Sequence, residues 1–180
     1  MIIKDTAIGQ CAWQQRFLDA KNEVGLDMER IYFGADHGGF ELKRRLIELI
    51  KQKGYELVDM GPAAYNKDDD YVDYAEKVCK EVVSNKARGV LICKSGHGMA
   101  ITANKFKGIY ASVCWNAMSA VKAKKDDNIN VLCLPGELIT LDDAQKAVVS
   151  WLETPFESIE RRNRRLEKVK GIEDRNFKQV

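Results

Sequence analysis

Three short stretches carry side chains able to do chemistry, and two of them stand directly after apolar runs. Gly34-Ala35-Asp36-His37-Gly38-Gly39 sets a carboxylate and an imidazole beside two glycines. That pattern suits acid/base work or ligand contact, with room for a ligand to approach the backbone. A plainer reading is that Asp36 caps the following helix and His37 is merely exposed. Cys93-Lys94-Ser95-Gly96-His97-Gly98 ends an apolar run in a thiol and continues into a Ser/Gly loop. Backbone N–H groups in such a loop, at the start of a helix spanning Met99 to Phe106, favour an anion or a developing oxyanion. The same field favours the thiolate form of Cys93, as base or nucleophile; a packed cysteine at a tight turn is the plainer reading. In the third stretch, Glu160-Arg161-Arg162-Asn163-Arg164-Arg165, Arg161 and Arg165 share a helix face at i, i+4 and present forked donors suited to a phosphate. A solvated helix face would show the same letters.

Other chemistries find little support. Gly96-His97-Gly98-Met99-Ala100-Ile101 has Ile where a dinucleotide fingerprint needs Gly or Ala, and no Gly-Lys-Ser/Thr follows as in a phosphate-binding P-loop. Cys93 and His97 stand four apart, but His37 is the only other histidine and Cys11, Cys79, Cys114 and Cys133 are scattered, so no metal is expected. RNA binding by the arginine run lacks interleaved aromatics and sits on a nearly neutral chain.

These stretches need elements to position them. Short apolar runs at Ile31 to Ala35, Tyr55 to Asp59, Gly89 to Cys93, Ile109 to Cys114 and Ile129 to Leu134 alternate with helical periodicity, which predicts an α/β fold with a parallel sheet covered on both faces. Tyr71, Tyr74, Ala75, Val78, Cys79, Val82 and Val83 form one helix stripe, and Leu42, Leu46, Leu49 and Ile50 another, closed by Gly54. Gly61 to Asp70 is the longest loop. From Ser158 onward a charged helix is expected with Leu166 and Val169 as its apolar anchors, and residues 1–29 are expected to form an N-terminal helical extension carrying Trp13, Phe17 and Leu18 before a domain at 30–180. In an open parallel sheet, ligands bind beyond the carboxyl ends of the strands, where Asp36-His37 and Cys93-Lys94-Ser95 fall.

The chain has 180 residues, 45% of them hydrophobic, and a formal net charge of +2. One domain is expected, without a nucleic-acid footprint or membrane partner. No signal-peptide pattern or apolar run of about 18 residues is present, so the cytoplasm is the expected location and the cysteines are expected to be reduced.

Taken together, the first two stretches with Asp73-Tyr74-Ala75, Ala103-Asn104-Lys105, Asn130-Val131-Leu132 and Arg161 to Glu167 resemble type B ribose-5-phosphate isomerase and the related galactose-6-phosphate and allose-6-phosphate isomerases. The resemblance spans residues 30 to about 170. It implies a Rossmann-like three-layer αβα sandwich with a five-stranded parallel sheet, and a homodimer, possibly a tetramer, whose sites are shared between subunits. It also implies cofactor-free aldose–ketose isomerisation of a sugar phosphate through an enediolate. Cys93 would move the proton between C1 and C2, with Ser95 and the Gly96 and Gly98 amides stabilising the enediolate oxygen. Asp36, His37 and His97 would meet hydroxyls and phosphate, with Arg161 and Arg165 holding the phosphate. Three positions depart from the pattern: Lys94 replaces the Gly after the catalytic Cys, Asp126 stands where the family has its ring-opening His, and Arg162 replaces a second His. Asp126 or His97 would then move the ring-opening proton, or the substrate is an open-chain one such as a four-carbon sugar phosphate. The same residues would also fit a six-carbon sugar phosphate as substrate, or a subunit that binds sugar phosphate without catalysis.

Overall fold

The computed structural model describes residues 30–177, so the expected helix at 1–29 lies outside the described residues. Five strands form one sheet: β1 (Arg30–Ala35), β2 (Glu56–Asp59), β3 (Arg88–Cys93), β4 (Ala111–Val113) and β5 (Val131–Pro135). Their order is β2-β1-β3-β5-β4 and every neighbouring pair is parallel. The chain leaves β1 toward β2 on one side and returns to β3 on the other, which puts a topological switch point between the carboxyl ends of β1 and β3. Asp36-His37 and the Cys93 loop follow those two ends.

Six helices complete the described residues: α1 (Phe40–Lys51), α2 (Tyr71–Asn85), α3 (His97–Ala103), α4 (Ala117–Asp127), α5 (Leu141–Glu153) and α6 (Glu160–Asn176). Alternate strand residues face opposite layers. Ile31, Phe33, Val90, Ile92, Leu132 and Leu134 pack toward α1, α4 and α5, around the fully buried Trp151. Tyr32, Leu91, Cys93, Val131 and Cys133 pack toward α2 and α3. Side-chain caps set two of the starts. The Asn116 side chain accepts from Ser119 N ahead of α4, and Thr140 Oγ1 accepts from Asp143 N ahead of α5.

Several expectations need correction. Strand β4 is three residues, shorter than Ile109 to Cys114; Ile109 and Cys114 are buried just outside it. The third helix begins at His97 and stops at Ala103, ahead of the expected Met99 to Phe106. Helix α1 ends at Lys51, and Gly54 with φ +83 turns the chain toward β2 three residues later. Tyr71 and Val83 end the α2 stripe but are 38% and 46% exposed. On α6 the expected anchors divide: Leu166 is half-buried but Val169 is 44% exposed, and the buried residue is Arg162, at 8%. No helix among the described residues is long and apolar enough to cross a membrane.

Candidate active site

Cys93 is the last residue of β3 and is 5% exposed. Its sulfur accepts the Gly96 N–H at 3.2 Å, so the loop closes on the thiol itself. Gly96 makes that closure with φ +76, a left-handed conformation; a Cβ there would also stand 3.0 Å from Val113 and 3.2 Å from the Leu134 backbone. The next N–H groups, on His97, Gly98 and Met99, belong to the first turn of α3 and have no acceptor within the helix. Ser95 is half-buried and His97 is exposed, both at the rim. Tyr71 lays its ring over Gly98, where a Cβ would meet it at 2.7 Å.

On the adjoining strand end, Asp36 is 5% exposed and its Oδ1 accepts the N–H groups of Gly38 at 2.9 Å and Gly39 at 3.2 Å. Burial raises its carboxyl above the ordinary value, while His37 and those two N–H bonds oppose the shift. Asp36 thus does structural work at the start of α1 and still lines the cleft. His37 donates its backbone N–H to Asp69 Oδ1 at 2.9 Å, and its Nδ1 lies 2.8 Å from the same oxygen. The 61–70 loop that delivers Asp69 is tied down in turn. Ala35 N donates to Gly61 O at 3.2 Å, and the buried Lys43 ammonium reaches Asp59 and, at 3.1 Å, the Pro62 carbonyl. At the rim, Lys94 stands 3.8 Å from Glu137 beyond β5, so a carboxylate faces the lysine.

The structure gathers Cys93, Ser95, Gly96, His97, Gly98, Asp36 and His37 at the carboxyl edge of the sheet. It does not bring Asp126, Arg161 or Arg165 to them within one chain. Helix α4 runs back from the end of β4 toward the start of β5, so Asp126, its penultimate residue, lies at the amino edge, about 13 Å along the helix from its first turn. Asp126 pairs there with Lys122 at 2.8 Å and with Arg162, which also holds Glu157. The Lys122 bond chiefly, then Arg162, holds the Asp126 carboxyl below its ordinary range against some desolvation. Helix α6 follows the same edge: Glu173 accepts the Gly108 N–H at 2.6 Å and Asp174 pairs with Lys107 at 2.8 Å, just before β4. Arg161 and Arg165 are exposed there.

Asp69 and Tyr71 do not stand out in the sequence. Asp68, Asp69 and Asp70 are equivalent as letters, and Tyr71 fits the helix stripe until its contact with Gly98 is visible. No group of three or more His, Cys, Asp or Glu among the described residues is placed to hold a metal ion.

Comparison with known proteins agrees with this fold. The ribose/galactose isomerase family model matches residues 31–169. Ribose-5-phosphate isomerase B of Escherichia coli is 36% identical over 149 residues, covering 82% of this chain and 99% of its own. That of Mycobacterium tuberculosis is 34% identical over 139 residues, covering 77% and 86%. Among solved structures, ribose-5-phosphate isomerase B of Mycoplasma genitalium with bound ribulose-5-phosphate has a TM-score of 0.78 at 36% identity, covering 81% of this chain and 96% of that one. The Clostridium thermocellum enzyme has a TM-score of 0.77 at 37% identity, covering 81% and 98%. A family match over more than two thirds of the residues, falling on the strands and loops that build the cleft, places this chain in the ribose/galactose isomerase family.

Proposed function

We propose that the chain is a cofactor-free aldose–ketose isomerase of a sugar phosphate, of the ribose 5-phosphate/ribulose 5-phosphate type. The observation that carries this is the Cys93 sulfur at a switch-point strand end, holding the Gly96 N–H, with Asp36 and His37 on the neighbouring strand end. The thiolate takes the proton from C2 of the open-chain aldose and the electron pair moves into an enediolate; a proton passes from the C2 hydroxyl to the C1 oxygen, and the thiol returns its proton to C1 to give the ketose. Ser95 and the Gly98 amide serve the enediolate oxygen, while the Gly96 N–H stays on the Cys93 sulfur. Asp36, His37 and His97 hold hydroxyls and phosphate. A positioned general base is worth about 10²–10⁴ in rate.

Arg161 and Arg165 complete the phosphate site from a partner subunit. In one chain they lie at the opposite edge of the sheet from Cys93, so a homodimer in which the amino edge of one subunit meets the carboxyl edge of the other is the arrangement that unites them. Asp126 comes from the partner with them. Screening tetrose, pentose and hexose phosphates tests the activity, and turnover that vanishes in Cys93→Ala is the expected result. Sugar-phosphate binding without turnover would instead mark a non-catalytic binding subunit.

The state of Asp126 supports a second reading. A carboxylate locked between Arg162 and Lys122 is poorly placed to shuttle the proton that opens a furanose ring. A four-carbon sugar 4-phosphate needs no such step, because its ring-forming hydroxyl is phosphorylated. On this reading a tetrose phosphate outpaces ribose 5-phosphate, and the reverse order would discard it.

A further inference from the structure

His37 is held from two sides by one oxygen. Asp69 Oδ1 accepts the His37 backbone N–H at 2.9 Å and lies 2.8 Å from its Nδ1, and the Asp69 side chain is 6% exposed against 23% for His37. An ionised carboxylate only accepts, so Nδ1 carries a proton and Nε2 is the ring nitrogen left for a ligand. The ring has little freedom to turn. Tyr65 meets it edge-on with centroids 6.5 Å apart, and Tyr65 in turn packs edge-on against Phe40. Asp69 is fixed as well. Its N–H reaches Asn66 O at 3.3 Å, Asn66 Oδ1 accepts the Asp68 N–H at 3.1 Å, and the Tyr74 phenol beside it is held above its ordinary value by burial and by the carboxylate.

We infer that Asp69 is a positioning residue for the isomerase: it fixes the His37 tautomer and ring orientation so that Nε2 is presented to the sugar phosphate. This rests on the cleft being the isomerase site proposed above. If Asp69 merely stapled the 61–70 loop to β1 through the backbone N–H, its loss would act on the loop and not through the imidazole.

The test combines ¹⁵N imidazole NMR of the full chain with a double-mutant cycle in steady-state kinetics on whichever sugar phosphate turns over. In the wild type the neutral His37 ring carries its proton on Nδ1, and in Asp69→Ala that preference disappears. Asp69→Ala loses roughly tenfold in kcat/KM, the scale of a hydrogen bond to a charged group. Asp69→Asn, which keeps an acceptor and guards against misfolding of the alanine variant, loses less. In a His37→Ala background, Asp69→Ala costs nothing further. Losses that multiply in the double variant, no loss in His37→Ala alone, or a wild-type ring protonated on Nε2 would overturn the assignment. Absence of turnover with every sugar phosphate would instead sink the isomerase reading, while the NMR still decides which nitrogen Asp69 holds.

Discussion

At the carboxyl edge of the sheet, Cys93, Asp36 and His37 sit on or just after buried strands and are fixed by backbone N–H groups or a buried carboxylate. At the amino edge, Asp126, Arg161 and Arg165 depend on α6, whose buried residue is the charged Arg162. The contrast with α5 gives a scale. That helix buries Ala144, Ala147, Val148, Trp151 and Leu152, and its larger apolar side chains contribute about 1.5–3 kcal/mol each, whereas an exposed ion pair such as Lys107–Asp174 on α6 contributes about 0–1 kcal/mol. The first group is part of the core, and the second is attached to it by charges. On the proposed reading the proton transfer uses the first, and a partner's copy of the second holds the phosphate.

The contrast is broken most severely by separating the halves. Cys93→Ala and the double variant Arg161→Ala/Arg165→Ala are each expected to be inactive alone. Unfolded together and refolded, they should recover about a quarter of wild-type activity, since half the dimers are mixed and each has one intact site. No recovery, with mixed dimers present, would show that each site is built within one chain.

The carboxyl edge alone is disturbed by Gly96→Ala. A Cβ at φ +76 costs about 1–2 kcal/mol and displaces the N–H that Cys93 accepts, so kcat should fall while inhibition by inorganic phosphate stays near wild type. Arg162→Ala disturbs only the amino edge. Asp126 and Glu157 lose their shared cation, KM should rise roughly tenfold with kcat little changed, and protease should cut the 154–159 connection faster while the melting temperature of the core barely moves. Equal losses in kcat and KM for both variants would erase the distinction.

Acid probes the smallest effect. A carboxyl lowered in the folded state adds stability that is complete above its ordinary value and is lost as pH falls through the lowered one. Asp126 is such a group, so its contribution should fade only below about pH 4. A thermal-melt series from pH 7 to pH 3 should show a shallower acid decline for Asp126→Asn than for the wild type.

Much of this is legible in the residues. All five strands lie where short apolar runs alternate with helical stripes, and β1, β3 and β5, buried along nearly their whole length, leave a continuous apolar signature. The Cys93 and Asp36-His37 stretches are legible because thiol, imidazole and glycines stand directly after those runs. The divided geometry is not, since i, i+4 spacing puts Arg161 and Arg165 on one face without saying which edge of the sheet α6 follows. Arg162 is hidden for a related reason: a buried arginine in a charged run looks like its exposed neighbours until Asp126 and Glu157 are brought to it. Tyr71 and Val83 continue an apolar stripe past the end of the core, where periodicity alone cannot mark the boundary.

We propose that Cys93 moves the proton. Solvent deuterium incorporation into the turned-over sugar phosphate, comparing wild type with Cys93→Ala at matched protein concentration, tests this at the reacting carbon. The cleft geometry predicts exchange at the carbon next to the carbonyl in the wild type and a loss of at least ~10²-fold in the variant. Exchange that continues at the wild-type rate without the thiol would contradict it.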